Sequence, residues 1–204
     1  MAVPKSWDNR WEEVYKVREW GKYPPEDLIR FVARNYYGVP HRASVKILDL
    51  GCGTGAATWY IAREGFAAYG VDGSAAGIAR AKKRFAEEGL RGRFSVGDIV
   101  RLDFTDGYFD AVTDIASIQH NAFSNIGRII AEIHRVLKKG GRFFGILIAE
   151  DTDWVGWEGK THFFTRAEIR TLFKSFHKLE IEEIRKSKDG GRKRMRQFIV
   201  QAVK

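Results

Sequence analysis

From Lys46 onward the chain alternates short apolar runs with longer segments of helical periodicity, and this alternation constrains the fold more than any other feature. "KILDL" reads as a strand and "AATWYIAREG" as a helix stopped at Gly65. "AAYGVD" is a second strand, followed by the helix "SAAGIARAKKRFAEEG", with Ser74 as N-cap and Gly89 as stop. "RFSVGD" and "FDAVTDIAS" are strands. "SNIGRIIAEIHRVLKKGG" places Ile126, Ile129, Ile130, Ile133 and Leu137 on one helical face, and the strand "RFFGILIAE" comes next. "TRAEIRTLFKSF" opens with Thr165 and Glu168 at capping-box spacing. Strand alternating with helix means βαβ units and a parallel sheet. The last two strands, "KLEIEEIR" and "RQFIVQAVK", have only a Gly-Gly turn region between them, so they pair as an antiparallel hairpin. The expected architecture is α/β: a seven-stranded, mostly parallel sheet with one antiparallel edge strand and helices on both faces.

The first forty residues read as helices instead. "WDNRWEEVYKVREW" brings Trp7, Trp11, Val14, Tyr15 and Val17 near helical spacing, and "PPEDLIRFVARNYY" starts a second helix at a proline. The chain of 204 residues is expected to form one domain, 1–204, with an N-terminal helical cap over 1–40 and the core over 45–204. At 44% hydrophobic and 30% charged it can bury a full core, which excludes a disordered chain. No apolar run approaches the roughly 20 residues that span a bilayer. The N-terminus has no signal-peptide pattern, and a lone cysteine excludes a disulfide framework. The expectation is a cytoplasmic protein with no membrane partner, as a monomer or homodimer. The net charge of +9 raises the odds of an anionic partner. That charge is concentrated in "RKSKDGGRKRMR", Arg185 to Arg196, which reads as a solvated hairpin tip.

Between the first strand and its helix runs Asp49-Leu50-Gly51-Cys52-Gly53-Thr54-Gly55-Ala56. Such a loop lets backbone N–H groups and a helix N-terminus approach a ligand closely. It satisfies the dinucleotide pattern G-x-G-x-x-A, and Asp72 ends the next strand where a carboxylate can take ribose hydroxyls. A dehydrogenase is therefore one reading. Asp49, two residues before the first glycine, argues against it, because a fixed negative charge suits a cationic ligand better than a pyrophosphate. "VGDI" adds Asp98 and Ile99 at the end of the third strand, an acid for an adenine amine and an apolar neighbour for the ring.

Taken in order and spacing, "ILDLGCGTG", "VDGS", "VGDI", "FDAVTDIASIQH" and "RVLKKGGRFF" resemble the class I, Rossmann-like S-adenosylmethionine-dependent methyltransferases over Lys46 to Ile148. The resemblance implies S-adenosylmethionine as cofactor. It implies that Asp49 and the loop residues Gly51, Cys52, Gly53 and Gly55 hold the methionine end, Asp72 with Gly73 the ribose, and Asp98 with Ile99 the adenine. Asp114 and Ile115 would line the sulfonium side. One departure is Ala75-Ala76-Gly77, where many members carry a bulky apolar residue against the adenine.

Methyl transfer from a sulfonium demands alignment and water exclusion, and sometimes a base. His120, just past the fourth strand, and His162, after the fifth, are the candidate catalytic residues; His134 reads as structural, and His41 and His177 as surface residues. Tyr15 and Trp20 of the cap, with Trp11, could close the cofactor site, and Trp154 and Trp157 could wall the substrate. No cluster has metal-ligand spacing, so no metal is expected. The expected reaction is methylation of a small-molecule oxygen or nitrogen acceptor. The alternative is an RNA or protein methyltransferase docking through the basic hairpin, with nucleic acid the less favoured partner. "DIASIQH" lacks the Asn/Asp-Pro-Pro-aromatic pattern of enzymes that methylate exocyclic base amines.

Overall fold

The structure, a computed structural model, describes residues 6–18, 20–150, 152–153, 161–191 and 193–204. Seven strands form one sheet: β1 (Lys46–Leu50), β2 (Ala67–Asp72), β3 (Arg93–Val96), β4 (Phe109–Ile115), β5 (Leu137–Ile148), β6 (Lys178–Lys188) and β7 (Lys193–Val203). Their order is β3-β2-β1-β4-β5-β7-β6. β1 to β5 pair in parallel, and β7 pairs antiparallel with both β5 and β6. The hairpin expected from the sequence therefore closes the sheet, its reversed strand β7 lying one place inside the outermost strand β6.

The helices are α1 (Arg10–Val17), α2 (Glu26–Tyr36), α3 (Ala56–Arg63), α4 (Ala75–Glu87), α5 (Phe123–Val136) and α6 (Arg166–Leu172). The period-2 alternation of the strands sorts their side chains to two faces. Leu48, Val112 and Phe143 meet the isoleucines of α5 and Phe173 on one face. Their chain neighbours Ile47, Ala111 and Phe144 meet Leu28 and Phe31 of α2 and Ile61 of α3 on the other. The capping box at Thr165 forms as its spacing predicts: its hydroxyl accepts from the Glu168 N–H, and the Glu168 carboxylate accepts from the Thr165 N–H.

Two boundaries differ from the sequence pattern for physical reasons. α5 ends at Val136 because Leu137 turns extended and pairs with Phe109, so "LKKGG" enters the sheet as strand. The hairpin runs past its apolar part: Lys186 pairs with Met195 and Lys188 with Lys193. The basic run is a two-stranded ribbon, which hydrophobic periodicity cannot register because neither face is buried.

The chain starts at β1, moves outward to β2 and β3, then returns to β4 on the other side of β1. This reversal leaves a crevice at the carboxyl ends of β1 and β4, the position where open α/β sheets bind ligands.

Candidate active site

The crevice holds a cavity of about 390 Å³. Its floor is the loop after β1. Gly51, Gly53 and Gly55 all have left-handed backbone, at φ +59°, +51° and +83°. A side chain on Gly51 would run into Ser117, and one on Gly53 into the Tyr15 hydroxyl, so glycine is required there by conformation and by space. Asp49, at the end of β1, is 2% exposed. Its carboxylate accepts from the Thr58 N–H at 3.2 Å, the Thr58 hydroxyl at 2.8 Å and the Thr113 hydroxyl at 3.3 Å. Burial still pushes its pKa up to about 7.

Asp72 braces the same loop from β2. One carboxylate oxygen accepts from the Gly53 N–H at 2.8 Å and the other from the Ser74 N–H at 2.7 Å, while Ser74 caps α4 by accepting from the Gly77 N–H at 3.0 Å. Each carboxylate oxygen retains a further lone pair. Burial raises the Asp72 carboxyl above its ordinary range.

The opposite wall comes from the segment after β4. Ala116 adopts φ +63°, the one non-glycine in left-handed backbone among the described residues. Such a residue persists where its surroundings over-determine it. Here the surroundings are Asp114, which is fully buried and accepts from the Ser117 hydroxyl, the Ser117 N–H and the Ile118 N–H. Gln119 then accepts from the Ile148 N–H at 2.9 Å, and the Asn121 amide donates to the carbonyls of Ser117 and Ile118. These bonds fix the turn that carries His120. The His120 ring lies 5.2 Å from the Trp11 ring, centroid to centroid, with its Nδ1 3.2 Å from the Thr161 hydroxyl. Burial pushes its pKa down to about 4, so the imidazole is neutral at physiological pH.

The N-terminal segment forms the lid. Glu12 accepts from the Ser74 hydroxyl and the Ala76 N–H, adding its charge to the N-terminus of α4. Arg80 donates to the carbonyls of Tyr15 and Lys16. So held, α1 sets Trp11 against Tyr15 and Trp20 over the cavity. Trp7 rests on the backbone of Gly73.

Of the residues singled out from sequence, Asp49, Gly51, Cys52, Gly53, Asp72, Gly73, Ile99, Ile115, Tyr15, Trp20 and His120 line one cavity. Gly55 lies behind it, against Ala81. Asp114 supports the wall from within. Asp98 is used otherwise: its carboxylate fastens the lid, accepting from the Ser6 N–H at 2.7 Å and from the Ser6 hydroxyl, and it also accepts from the Val100 N–H. His162 is not in the cavity lining; it packs between Phe123 and Phe164 with its Nε2 3.5 Å from Glu168. Trp154 and Trp157 lie outside the described residues. Sequence pattern alone does not pick out Trp7, Ser117, Gln119, Asn121, Met195 and Gln197, all lining residues. Gln119 and Asn121 flank a residue that it does pick out, while Met195 and Gln197 reach the site only because β7 inserts beside β5.

Residues 47–141 match the sequence family described as "Methyltransferase domain". A demethylmenaquinone methyltransferase of Leptospira interrogans is 29% identical over 170 residues, 79% of this chain and 64% of that protein. An uncharacterized methyltransferase of Synechocystis sp. is 31% identical over 128 residues, 63% and 58% of the two chains. The chain thus spans about three fifths of the length of these relatives. A solved S-adenosylmethionine-dependent methyltransferase from Methanosarcina mazei shares the fold at a TM-score of 0.68, with 22% identity over 85% of this chain and 96% of that one. The family match covers the acid-and-glycine loop and the segment after β4, which build the floor and the far wall of the cavity. Just under half of the chain thus matches the methyltransferase-domain family, and its fold is the one that solved S-adenosylmethionine-dependent methyltransferases share.

Proposed function

We propose that the protein methylates an oxygen or nitrogen of a small-molecule acceptor, and that the aromatic-walled cavity at the β1–β4 crevice is where it does so. The carrying observation is that one cavity is lined both by buried carboxylates on a glycine loop and by Trp11, Trp20 and His120.

The carboxylates suit the family's cofactor. Asp49 offers a buried negative charge to an ammonium, and Asp72 keeps lone pairs for a pair of hydroxyls. When bound, S-adenosylmethionine supplies the activated methyl group, its sulfonium being the electrophile. The protein's own part is to align the acceptor and exclude water, which α1 does by closing over the crevice. His120, neutral and at the acceptor end, can accept a proton or a hydrogen bond from an acceptor hydroxyl or amine. The demethylmenaquinone methyltransferase named above is named for a small-molecule acceptor, which supports a small-molecule substrate without bearing on the atom methylated.

The basic ribbon supports the RNA or protein alternative less than its sequence suggests, because the chain's own acids engage it. Arg196 and Arg185 both pair with Glu183, and the Arg194 N–H donates to Asp153 at 2.8 Å. Calorimetric titration with S-adenosylhomocysteine tests the cofactor half of the proposal. A preference for NADH would sink it. Turnover on a panel of hydroxylated and aminated small molecules, set against transfer RNA and protein substrates, tests the acceptor half.

A further inference from the structure

Past the end of β2 the chain carries little side-chain bulk: Asp72 is followed by Gly73, and α4 opens as Ala75-Ala76-Gly77. Gly73 differs from the glycines of the loop after β1. It does not take left-handed backbone, so conformation does not call for glycine there. Space does. A Cβ on Gly73 would lie 2.3 Å from Cδ2, 2.4 Å from Cε2 and 2.5 Å from Cγ of Trp7. Three bonded ring atoms at nearly one distance mean that the indole turns its face to Gly73, not its edge. A side chain at position 73 would have to push the ring off.

Trp7 is held on that seat from both sides along the chain. Its neighbour Ser6 donates to the Asp98 carboxylate through its N–H at 2.7 Å and through its hydroxyl. Glu12 accepts from the Ser74 hydroxyl at 2.6 Å. Asp98 and Ser74 lie just past β3 and β2, which are adjacent parallel strands. The indole lines the cavity together with Gly73, Gly97 and Ile99, residues from the ends of these two strands. A ribose held by Asp72 places its base one glycosidic bond away, in the surroundings of Gly73. Stacking on an aromatic side chain is a general way to hold a base by its flat face. Ile99 offers an aliphatic surface at these strand ends, and Trp7 offers an aromatic one on the residue next to Asp72.

We propose that Trp7 is an adenine-binding residue of the cofactor site: the lid supplies the ring against which the adenine of S-adenosylmethionine packs, in place of the bulk that Gly73 and the start of α4 leave out. The inference rests on the methyltransferase reading of the cavity and on ribose at Asp72. It makes the lid a part of the cofactor site and not only its cover.

The test titrates the full chain with S-adenosylhomocysteine, by calorimetry and by tryptophan fluorescence. Binding is expected to quench the wild-type emission as adenine stacks on the indole. Trp7→Ala should weaken binding about tenfold or more, the scale for losing one base–aromatic stack. Trp7→Phe keeps a ring and should stay within about threefold, yet lose most of the quench. Gly73→Leu alone should melt below the wild type, since leucine and indole claim one space. Added to Trp7→Ala, the same Gly73→Leu change returns apolar bulk to that space and should recover most of the lost affinity, which a mere cover would not do. Trp7→Ala binding within about twofold of the wild type overturns the proposal, and so does a double variant that binds no better than Trp7→Ala. A wild-type quench that is absent, or that persists in Trp7→Phe, overturns it as well, and this arm stands even if Trp7→Ala does not fold. If S-adenosylhomocysteine fails to bind the wild-type chain, the methyltransferase reading fails; if it binds the Trp7 variants with wild-type affinity and quench, only the present inference does.

Discussion

The two ends of the cavity are built in opposite ways. The glycine-loop end is local: Asp49, Gly51, Gly53 and Asp72 lie within 24 consecutive residues, on the ends of two adjacent parallel strands. The acceptor end is assembled from α1, the turn after β4 and the middle of β7, segments separated by most of the chain. The first is fixed by backbone, with positive φ angles and carboxylates bonded to N–H groups. The second is fixed between distant segments, by the hydrogen bonds that hold the turn and α1 and by the packing of ring on ring. A backbone-built site holds one ligand in one pose and tolerates little change. A site walled by side chains can be re-shaped residue by residue while the fold stays the same.

That contrast predicts where substitutions hurt most. Asp72→Ala removes a carboxylate that ties β2 to the loop and offers lone pairs to the ligand. It is expected to weaken S-adenosylhomocysteine binding by about 2–3 kcal/mol, the scale for bonds to a charged group. Calorimetry finding unchanged affinity would refute the division of labour proposed for the two ends. Turnover should respond at the other end. His120→Ala is expected to lower it about a hundredfold, the lower part of the range for general-base assistance, because a base whose pKa is near 4 holds a proton weakly. Cofactor-product affinity should stay within about threefold, a shift under roughly 0.7 kcal/mol. A folded His120→Ala protein with near-normal turnover would leave alignment alone as the mechanism.

The same contrast explains what is legible in the sequence. Alternating strands and helices, the Thr165 capping box and the glycine loop are short-range patterns, and each is present as read. Asp98 is placed at a strand end, as its position in the pattern predicts; nothing in "VGDI" reveals that Ser6, 92 residues earlier, bonds to its carboxylate. His162 and His120 look equivalent as loop histidines. They differ because the His162 backbone N–H donates to the Gln119 carbonyl at 2.7 Å, and the ring then packs against Phe123 and Phe164. Gln197 is invisible for a simpler reason: in a strand a buried glutamine and a solvent-facing one have the same spacing.

The charge buried at the loop end gives a pH signature in cofactor binding. Asp49 is raised from an ordinary value near 3.8 to about 7 by burial, with the Asp114 charge adding to the effect. Below about pH 7 it is protonated and offers no counter-charge to an ammonium. Affinity for S-adenosylhomocysteine should therefore rise with pH up to about 7 and then level, by up to tenfold per unit on the acid side. Folding has the opposite sign. A carboxyl whose pKa is higher in the folded state favours folding at low pH, and that contribution is lost as pH rises from about 4 through 7. Asp49→Asn should flatten the binding profile and melt above the wild-type protein at pH 8, with a smaller advantage at pH 5. Melting curves and titrations at both pH values check this, and a flat wild-type binding profile would remove the charge argument for Asp49.

The lid joins the two ends and should show an intermediate effect. Asp98→Ala releases Ser6 without touching any residue of the cavity lining. The freed segment carries Trp7 off Gly73, so S-adenosylhomocysteine affinity should fall by about three- to tenfold, the loss of one to two hydrogen bonds. Ser6→Ala should reproduce part of this loss. Unchanged S-adenosylhomocysteine affinity in Asp98→Ala would show that the bonds to Ser6 do not hold the lid in place.

The smallest effect is expected farthest from the cavity, on the basic ribbon. Its arginines are spent partly within the chain: Glu183 accepts from Arg185 at 2.9 Å and Arg196 at 2.8 Å, and these bonds hold its carboxyl down to about 2, so the pairs persist across the working pH range. Exposed pairs of this kind add little stability, yet they lower the positive charge the ribbon can offer a phosphate backbone. Arg192 lies outside the described residues, and Lys186, Lys193 and Arg194 are further cations of the ribbon. Replacing those three by alanine should leave turnover and S-adenosylhomocysteine affinity within about twofold, because none of them lines the cavity. RNA binding by the wild-type protein should be weak at physiological salt and fall with a shallow slope as salt rises, since few phosphates are neutralised. A submicromolar RNA complex that survives physiological salt and is lost in the triple variant would reverse the ranking of the two ends, making the ribbon the acceptor site and the aromatic wall only a lid.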